Sequence, residues 1–224
     1  MHRVRTCESV SPISHSLIHL LGNLYIGDQS NNRVRKITAS TSVITTIAGT
    51  GTAGYSGDGG QATAANIRDP VGVNLDRSGN VYFAELSNTR IRKITVSTGI
   101  ISTVVGTGSK VFNGDNIQAT AATISNPYDV VLDSYNNLYI SDSGNNRIRM
   151  VDASTGVITT VVGTGTASST GDGGAATSAT INGPLYITID SSGNLYISEA
   201  GCRIRKVVTV STDIPTFAPS STPR

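Results

Sequence analysis

The stretch Tyr139-Ile-Ser-Asp-Ser-Gly-Asn-Asn-Arg-Ile-Arg-Met-Val-Asp-Ala-Ser-Thr-Gly-Val-Ile-Thr-Thr-Val-Val-Gly163 decides the fold. Short runs of β-branched and apolar residues alternate with polar ones, which is the two-residue period of a strand. Ser143-Gly-Asn-Asn146 and Ala153-Ser-Thr-Gly156 separate these runs. Connections this short join antiparallel neighbours.

The same text recurs on either side. Gly22-Asn-Leu-Tyr-Ile26 returns as Gly79-Asn-Val-Tyr-Phe83, Asn136-Asn-Leu-Tyr-Ile140 and Gly193-Asn-Leu-Tyr-Ile197. Each step (79−22, 136−79, 193−136) is 57 residues. Gly49-Thr-Gly51, Pro70 and Asp76 recur at the same interval. One unit reads as four strands: a over Val71–Leu75, b over Asn80–Ala84, c over Arg90–Val96 and d over Ile100–Val105. A long Gly-rich loop then leads to the next strand a. Repeats of this size with four short antiparallel strands predict an all-β chain, a β-propeller of about four four-stranded blades. The expected blades are 22–66, 67–123, 124–180 and 181–214, after a degenerate segment 1–21 and before a linker 215–224 rich in Pro, Ser and Thr.

Tyr139 to Gly163 resembles an NHL repeat. So do the units that start at Tyr25 and Tyr82 and, less fully, the one at Tyr196. The resemblance implies a propeller, most often of six blades, used mainly as a binding platform. This chain supplies about four blades. Strand a of the first is poorly formed near Ser14–His19, and Pro215 stands where strand d of the fourth would run. Three arrangements fit: a fragment or incomplete ring of a larger propeller, a four-bladed ring in which His2–Thr6 supplies the last strand d, and two chains sharing one ring.

Composition narrows the classes. Charged residues make up 14% and the 224 residues include 24 Gly, which excludes a coiled coil. No apolar run is long enough to cross a bilayer as a helix, so no membrane span is expected. A net charge of +2 demands no nucleic-acid partner. The two cysteines, Cys7 and Cys202, allow one bridge, which spacing alone does not assign. The Pro/Ser/Thr tail favours an extracellular or cell-surface setting.

Strand alternation puts the b–c turns and the long d–a loops on one face, where binding is expected. Each b–c unit starts with an acid (Asp28, Glu85, Asp142, Glu199) and continues with an arginine (Arg33, Arg90, Arg147, Arg203). One reading is a charged ring that recognises a partner. The other is local hydrogen bonding and ion pairing within each blade. Specificity would lie where repeats differ, as at Tyr55 and Lys110. The tetrads beginning Arg33, Arg90, Arg147 and Arg203 hold 11 of the 17 Lys and Arg residues, but no aromatic interrupts them, as single-stranded RNA binding would want. Asp58, Asp115 and Asp172 lie in Gly-rich loops, yet each loop offers one carboxylate, too few for calcium. The histidines, His2, His15 and His19, lie outside the repeats, so no catalytic residue, metal site or cofactor is assigned. The expectation is a non-catalytic platform for a protein or glycan. The alternatives are a metal-dependent hydrolase or lyase of the six-bladed propeller class and an RNA-binding NHL module.

Overall fold

A computed structural model describes residues 16–18 and 22–208. His2–Thr6, Cys7, the histidines and the tail 215–224 lie outside the described residues. Strands and 3-10 turns make up the regular structure of those described, with no α-helix among them.

Blade one contains β1 (Ser16–Ile18), β2 (Leu24–Asp28), β3 (Arg33–Thr38) and β4 (Val43–Ala48). Blade two contains β5 (Pro70–Leu75), β6 (Val81–Glu85), β7 (Arg90–Thr95) and β8 (Ile100–Val105). A short β9 (Ile117–Gln118) precedes blade three, which has β10 (Pro127–Leu132), β11 (Leu138–Asp142), β12 (Arg147–Val151) and β13 (Val157–Val162). Blade four has β14 (Pro184–Ile189), β15 (Leu195–Glu199) and β16 (Arg203–Val207). Within each blade the strands a to d pair antiparallel, each with its chain neighbours. The strands expected from the repeat match these to within a residue or two. The segment read as poorly formed still supplies β1, with Leu17 opposite Tyr25.

Three elements of sequence logic recur across the blades. Asp76 caps its a–b turn, accepting from the Ser78 and Asn80 backbone N–H groups, both at 2.9 Å, and from Asn80 Nδ2 at 2.7 Å. Asp133 and Asp190 repeat the arrangement. The tyrosines of strand b carry a cation on the ring where strand c supplies lysine: Lys93 lies 5.3 Å from the Tyr82 centroid and Lys206 5.4 Å from that of Tyr196. The Gly-Thr-Gly repeat after strand d has a steric cause. Gly51, Gly108 and Gly165 have φ of +98°, +94° and +98°, and the guanidinium of Arg33, Arg90 or Arg147 lies where a Cβ would be. Only glycine combines that backbone with that contact.

The apolar cores lie between blades. One cluster joins Tyr25, Val34 and Ala48 of blade one to Val73, Phe83 and Ile101 of blade two, with Ala62, Ala65 and Ile67 of the intervening loop packed among them. Equivalent clusters form the next two joints. This loop placement was not legible as a face-lining loop. Residues 57–62 leave the face and run down the outer edge of the next blade. Gly59 N–H donates to Ile101 O at 2.8 Å, and Ile101 N–H donates to Gly60 O at 3.0 Å. At the following joint the same path becomes β9, antiparallel to β13, so blade three is a five-stranded sheet. Only the loop crests stay on the face of the b–c turns. Blade four ends at three strands among the described residues, and Ile204 on its outer strand is exposed.

Candidate functional site

The face formed by b–c turns and loop crests is built from one repeated joint. Strand b ends in an acid, strand c carries an Arg-x-Arg pair, and the preceding loop lies over both. At the first joint, Arg92 is fully buried and pairs with Glu85 at 3.1 Å and Asp58 at 2.8 Å. Arg92 also donates to Ser56 O at 3.1 Å. Tyr55 stacks on Arg90 at 3.7 Å from guanidinium to ring centroid, and Arg92 lies 5.0 Å from the same ring. The Tyr55 hydroxyl donates to Asp58 at 2.9 Å. At the second joint Arg149 pairs with Asp115 at 3.0 Å and Asp142 at 3.5 Å, and Phe112 takes the place of Tyr55, 3.9 Å from Arg147. At the third, Arg205 pairs with Asp172 and with Glu199 at 3.5 Å.

Of the acids expected to ring the axis, Glu85, Asp142 and Glu199 are buried beneath the face and engaged in these ion pairs. Asp28 is half-buried and lies 3.8 Å from Arg35. The leading arginines bind loop carbonyls: Arg33 donates to Thr50 O at 2.7 Å, Arg147 to Thr164 O at 2.6 Å and Arg90 to Thr107 O at 2.5 Å. Arg203, whose blade has no described strand d, donates instead to Ser169 O at 2.9 Å. The partner of each acid is therefore the second arginine of the tetrad, which the sequence reading did not separate from the first. Its aromatic neighbour comes from a loop, not from the tetrad. The spacing from Tyr55 to Phe112, one repeat length, was the available signal.

Burial shapes the electrostatics. Burial pushes the Glu85 carboxyl up, opposed by Arg92, the Arg68 N–H and Asn88. Asp142 is pushed up to about 6 by burial, against the Ser125 N–H, Asn145 and Arg149. Asp58 behaves oppositely. Its partial burial raises it, but hydrogen bonds from Thr103 and Tyr55 and the Arg92 charge together hold it below the usual value.

Lys110 and Val111 are on the crest of the loop between blades two and three, where Val111 is 80% exposed. The loops on either side tie this position down with parallel bridges, Ala53 to Ile67 and Ala167 to Ile181. No such bridge forms at Lys110 among the described residues. A basic and an apolar side chain are thus exposed on this crest, where the neighbouring loops carry Ala53-Gly54 and Ala167-Ser168.

Asp129 escaped the sequence reading. It is buried on β10, accepts from the Ile187 N–H at 3.1 Å and the Val130 N–H at 2.9 Å, and forms no ion pair among the described residues. Burial raises its carboxyl to about 7. It staples blade three to blade four. Its signal was a break in the repeat: Gly72, Asp129 and Tyr186 share a register position. Cys202 occupies the left-handed position of the fourth b–c turn, with φ of 58°, where Asn32, Thr89 and Asn146 stand in the others, and it is disulfide-bonded. Two clefts lie away from the face. One of about 410 Å³ is bordered by Gly171–Ala175 and β16; another of about 580 Å³ runs between blades two and three, past Tyr82, Lys93 and Tyr135. No group of three His, Cys, Asp or Glu residues is arranged for a metal among the described residues.

Comparisons with known proteins agree with this architecture. Residues 22–113 match the family model of the teneurin NHL domain. Teneurin-3 of Danio rerio is 29% identical over 226 residues, covering 87% of this chain and 8% of that protein. Suppressor of quenching 1 of Arabidopsis thaliana is 31% identical over 78 residues, 35% of this chain and 7% of that protein. The chain thus spans less than a tenth of these relatives. Among solved structures, a Bacteroides thetaiotaomicron protein of unknown function superposes with a TM-score of 0.66 at 26% identity, over 82% of this chain and 44% of that one. A streptogramin B lyase superposes with a TM-score of 0.53 at 19% identity, over 90% and 54% of the two chains, and shares the fold.

Proposed function

We propose that this chain, whose repeats are of the NHL type, is a non-catalytic propeller module that binds a protein or glycan partner. The contact surface is the face of b–c turns and loop crests. Lys110, Val111 and Tyr55 form its contact points, and Arg33, Arg90, Arg147 and Arg203 frame them. Glu85, Asp142 and Glu199 support the face from beneath, and Asp28 borders its first blade. The observation that carries this reading is the crest at Lys110–Val111, where an exposed apolar residue beside a cation interrupts an otherwise repeated frame. Binding residues concentrate on loops held by rigid scaffolds, and an exposed apolar group that packing does not require fits contact with a partner.

The test is a binding screen of the purified chain against extracellular protein ectodomains and a glycan array. Lys110→Ala with Val111→Ser is expected to abolish the selected interaction. Tyr135→Ser, on an exposed a–b turn of the opposite face, is expected to leave it intact. Loss with Tyr135→Ser and retention with the crest variant would place binding on the wrong face for this reading. A matching turnover assay with metal-dependent lactone and streptogramin substrates is expected to show no activity; turnover would overturn the non-catalytic reading.

A further inference from the structure

The cleft of about 580 Å³ between blades two and three opens among the a–b and c–d turns, away from the loop crests. One wall belongs to blade two, where Lys93 lies over the Tyr82 ring and forms no ion pair among the described residues. The other wall belongs to blade three and carries Tyr135 and Asp152. Both of these residues break the repeat. Tyr135 stands where the neighbouring a–b turns have Ser78 and Ser192, and Asp152 where strand c of blades one and two ends in Thr38 and Thr95. The fold requires neither change. Tyr135 is 75% exposed, so the core gains little from it. The c–d turn of blade two closes without a carboxylate, the Thr98 and Gly99 N–H groups donating to Thr95 O at 3.2 and 2.8 Å. Asp152 accepts four bonds on Oδ1, from the N–H and hydroxyl groups of Ser154 and Thr155, at 2.6 to 3.0 Å. These bonds, the Ser154 hydroxyl's foremost, hold the carboxyl down to about 2, so it is charged throughout the neutral range. Its Oδ2 accepts no hydrogen bond among the described residues. The first joint has the cation, Lys36 over Tyr25, but Ser78 and Thr95 at the opposing positions of the repeat; the third has Met150 in place of the lysine.

We infer that this cleft is a second binding site, one that takes a neutral pyranose ring, as a free sugar or as the terminal residue of a glycan. The chemistry of its walls selects that class. Lys93 offers N–H donors, Asp152 Oδ2 an acceptor, and the Thr120 and Tyr135 hydroxyls act as either. Sugar hydroxyls donate and accept at once, so one ring satisfies both walls. The axial C–H groups of a pyranose carry a slight positive charge and pack on the negative face of an aromatic ring, a role open to Tyr135. The cavity volume lies within the range of small-molecule sites, ~300–1,000 Å³. Other classes fit the walls less well. Asp76 and Asp152 repel a phosphate or carboxylate, Lys93 opposes a cation, and burying these charged groups penalises an apolar ligand. The cleft lies on the face opposite the loop crests, so it stands or falls independently of the function proposed above.

The test titrates the full isotope-labelled chain with the methyl glycosides of glucose, galactose, mannose and N-acetylglucosamine, read by amide chemical shifts. At least one sugar is expected to give saturable shifts centred on residues 134–138 and 152–156, with a millimolar Kd. Tyr135→Ser and Asp152→Thr each install the residue that other blades carry at that position, so both variants are expected to fold, and each should weaken binding at least tenfold. The same sugar is then offered at the end of a disaccharide; tighter binding identifies a glycan terminus as the source, and equal or weaker binding a free sugar. Reciprocal variants tell the cleft from the crests. Lys110→Ala with Val111→Ser should bind the sugar as wild type does, while Tyr135→Ser loses it. Loss of the sugar in the crest variant would place it on the loop crests and overturn the inference. Lack of saturable shifts with all four sugars, or binding indifferent to either turn substitution, would do the same.

Discussion

Replacing Arg92 by methionine isolates the element on which the joints depend. The guanidinium is fully buried and serves two carboxylates, Glu85 at 3.1 Å and Asp58 at 2.8 Å. Methionine preserves much of the volume and removes the charge. Glu85 then stays fully buried with the Arg68 N–H and Asn88 as its remaining hydrogen-bond donors. Removing one member of a buried pair leaves an uncompensated charge, at a cost of about 3–5 kcal/mol. For a chain of this size each kcal/mol lowers Tm by about 2–4 °C, so the expected loss is roughly 6–20 °C. The pH dependence has a definite sign. Burial already raises the Glu85 carboxyl, and loss of Arg92 raises it further. A carboxyl raised in the folded state contributes stability that is present below its unfolded value and lost as pH rises. The deficit of Arg92→Met should therefore be smaller at pH 5 than at pH 8. Adding Glu85→Gln should recover most of it. Arg35→Met is the control in the same register, and its partly exposed pair, 3.8 Å apart, predicts a cost of about 0–1 kcal/mol. Thermal unfolding followed by circular dichroism at both pH values measures all four proteins. A loss below about 1 kcal/mol for Arg92→Met, or one equal to that of Arg35→Met, would refute the clasp reasoning.

The remaining expectations concern other parts of the frame. Asp129, raised to about 7 by burial, should make wild-type stability fall between about pH 4 and pH 7, by up to about 4 kcal/mol, with the loss complete above its folded value; urea unfolding of wild type and Asp129→Asn across this range should show a flatter profile in the variant, and parallel profiles would refute the assignment. Gly108→Ala puts a Cβ at φ of +94° within 2.5 Å of the Arg90 guanidinium, and should cost about 2–3 kcal/mol by denaturant titration, against about 1 kcal/mol for Gly59→Ala, which shares the positive φ strain but meets no neighbour within 4 Å. Cys202 is disulfide-bonded and Cys7 is the other cysteine of the sequence; peptide mapping without reductant should recover a Cys7–Cys202 link, and a free Cys202 thiol would contradict it.

The fold was legible because period and turn chemistry agree from one unit to the next. Tyr25, Tyr82, Tyr139 and Tyr196 mark strand b, Asp76, Asp133 and Asp190 cap the a–b turns, and Gly51, Gly108 and Gly165 mark the end of strand d. Such signals are local, so a single repeat displays them in full. The candidate site was less legible because its contacts cross between repeats. Asp58 reads as a turn residue, and nothing within its own unit shows that its partner is Arg92, 34 positions later. The same holds for Tyr55 on Arg90. The aspartate of the Gly-rich loops looked like a weak metal ligand because its cation is a side chain of the next blade. Asp129 was hidden differently: its role is to accept the Ile187 N–H, and backbone partners leave no trace in side-chain spacing. Exposure is equally non-local. Ile44 and Ile101 stand in equivalent sequence, yet one is open and the other is buried, because burial depends on which loop passes over the strand.

Partners are proposed to meet the face of b–c turns and loop crests. Hydrogen-exchange footprinting of the chain, free and bound to the partner selected from the ectodomain and glycan panel, tests it most directly. Protection is expected at residues 52–56 and 107–113, with the a–b and c–d turns at 133–137 and 152–156 unchanged. Protection centred on those turns, with the crests at Tyr55 and Lys110 unchanged, would contradict it.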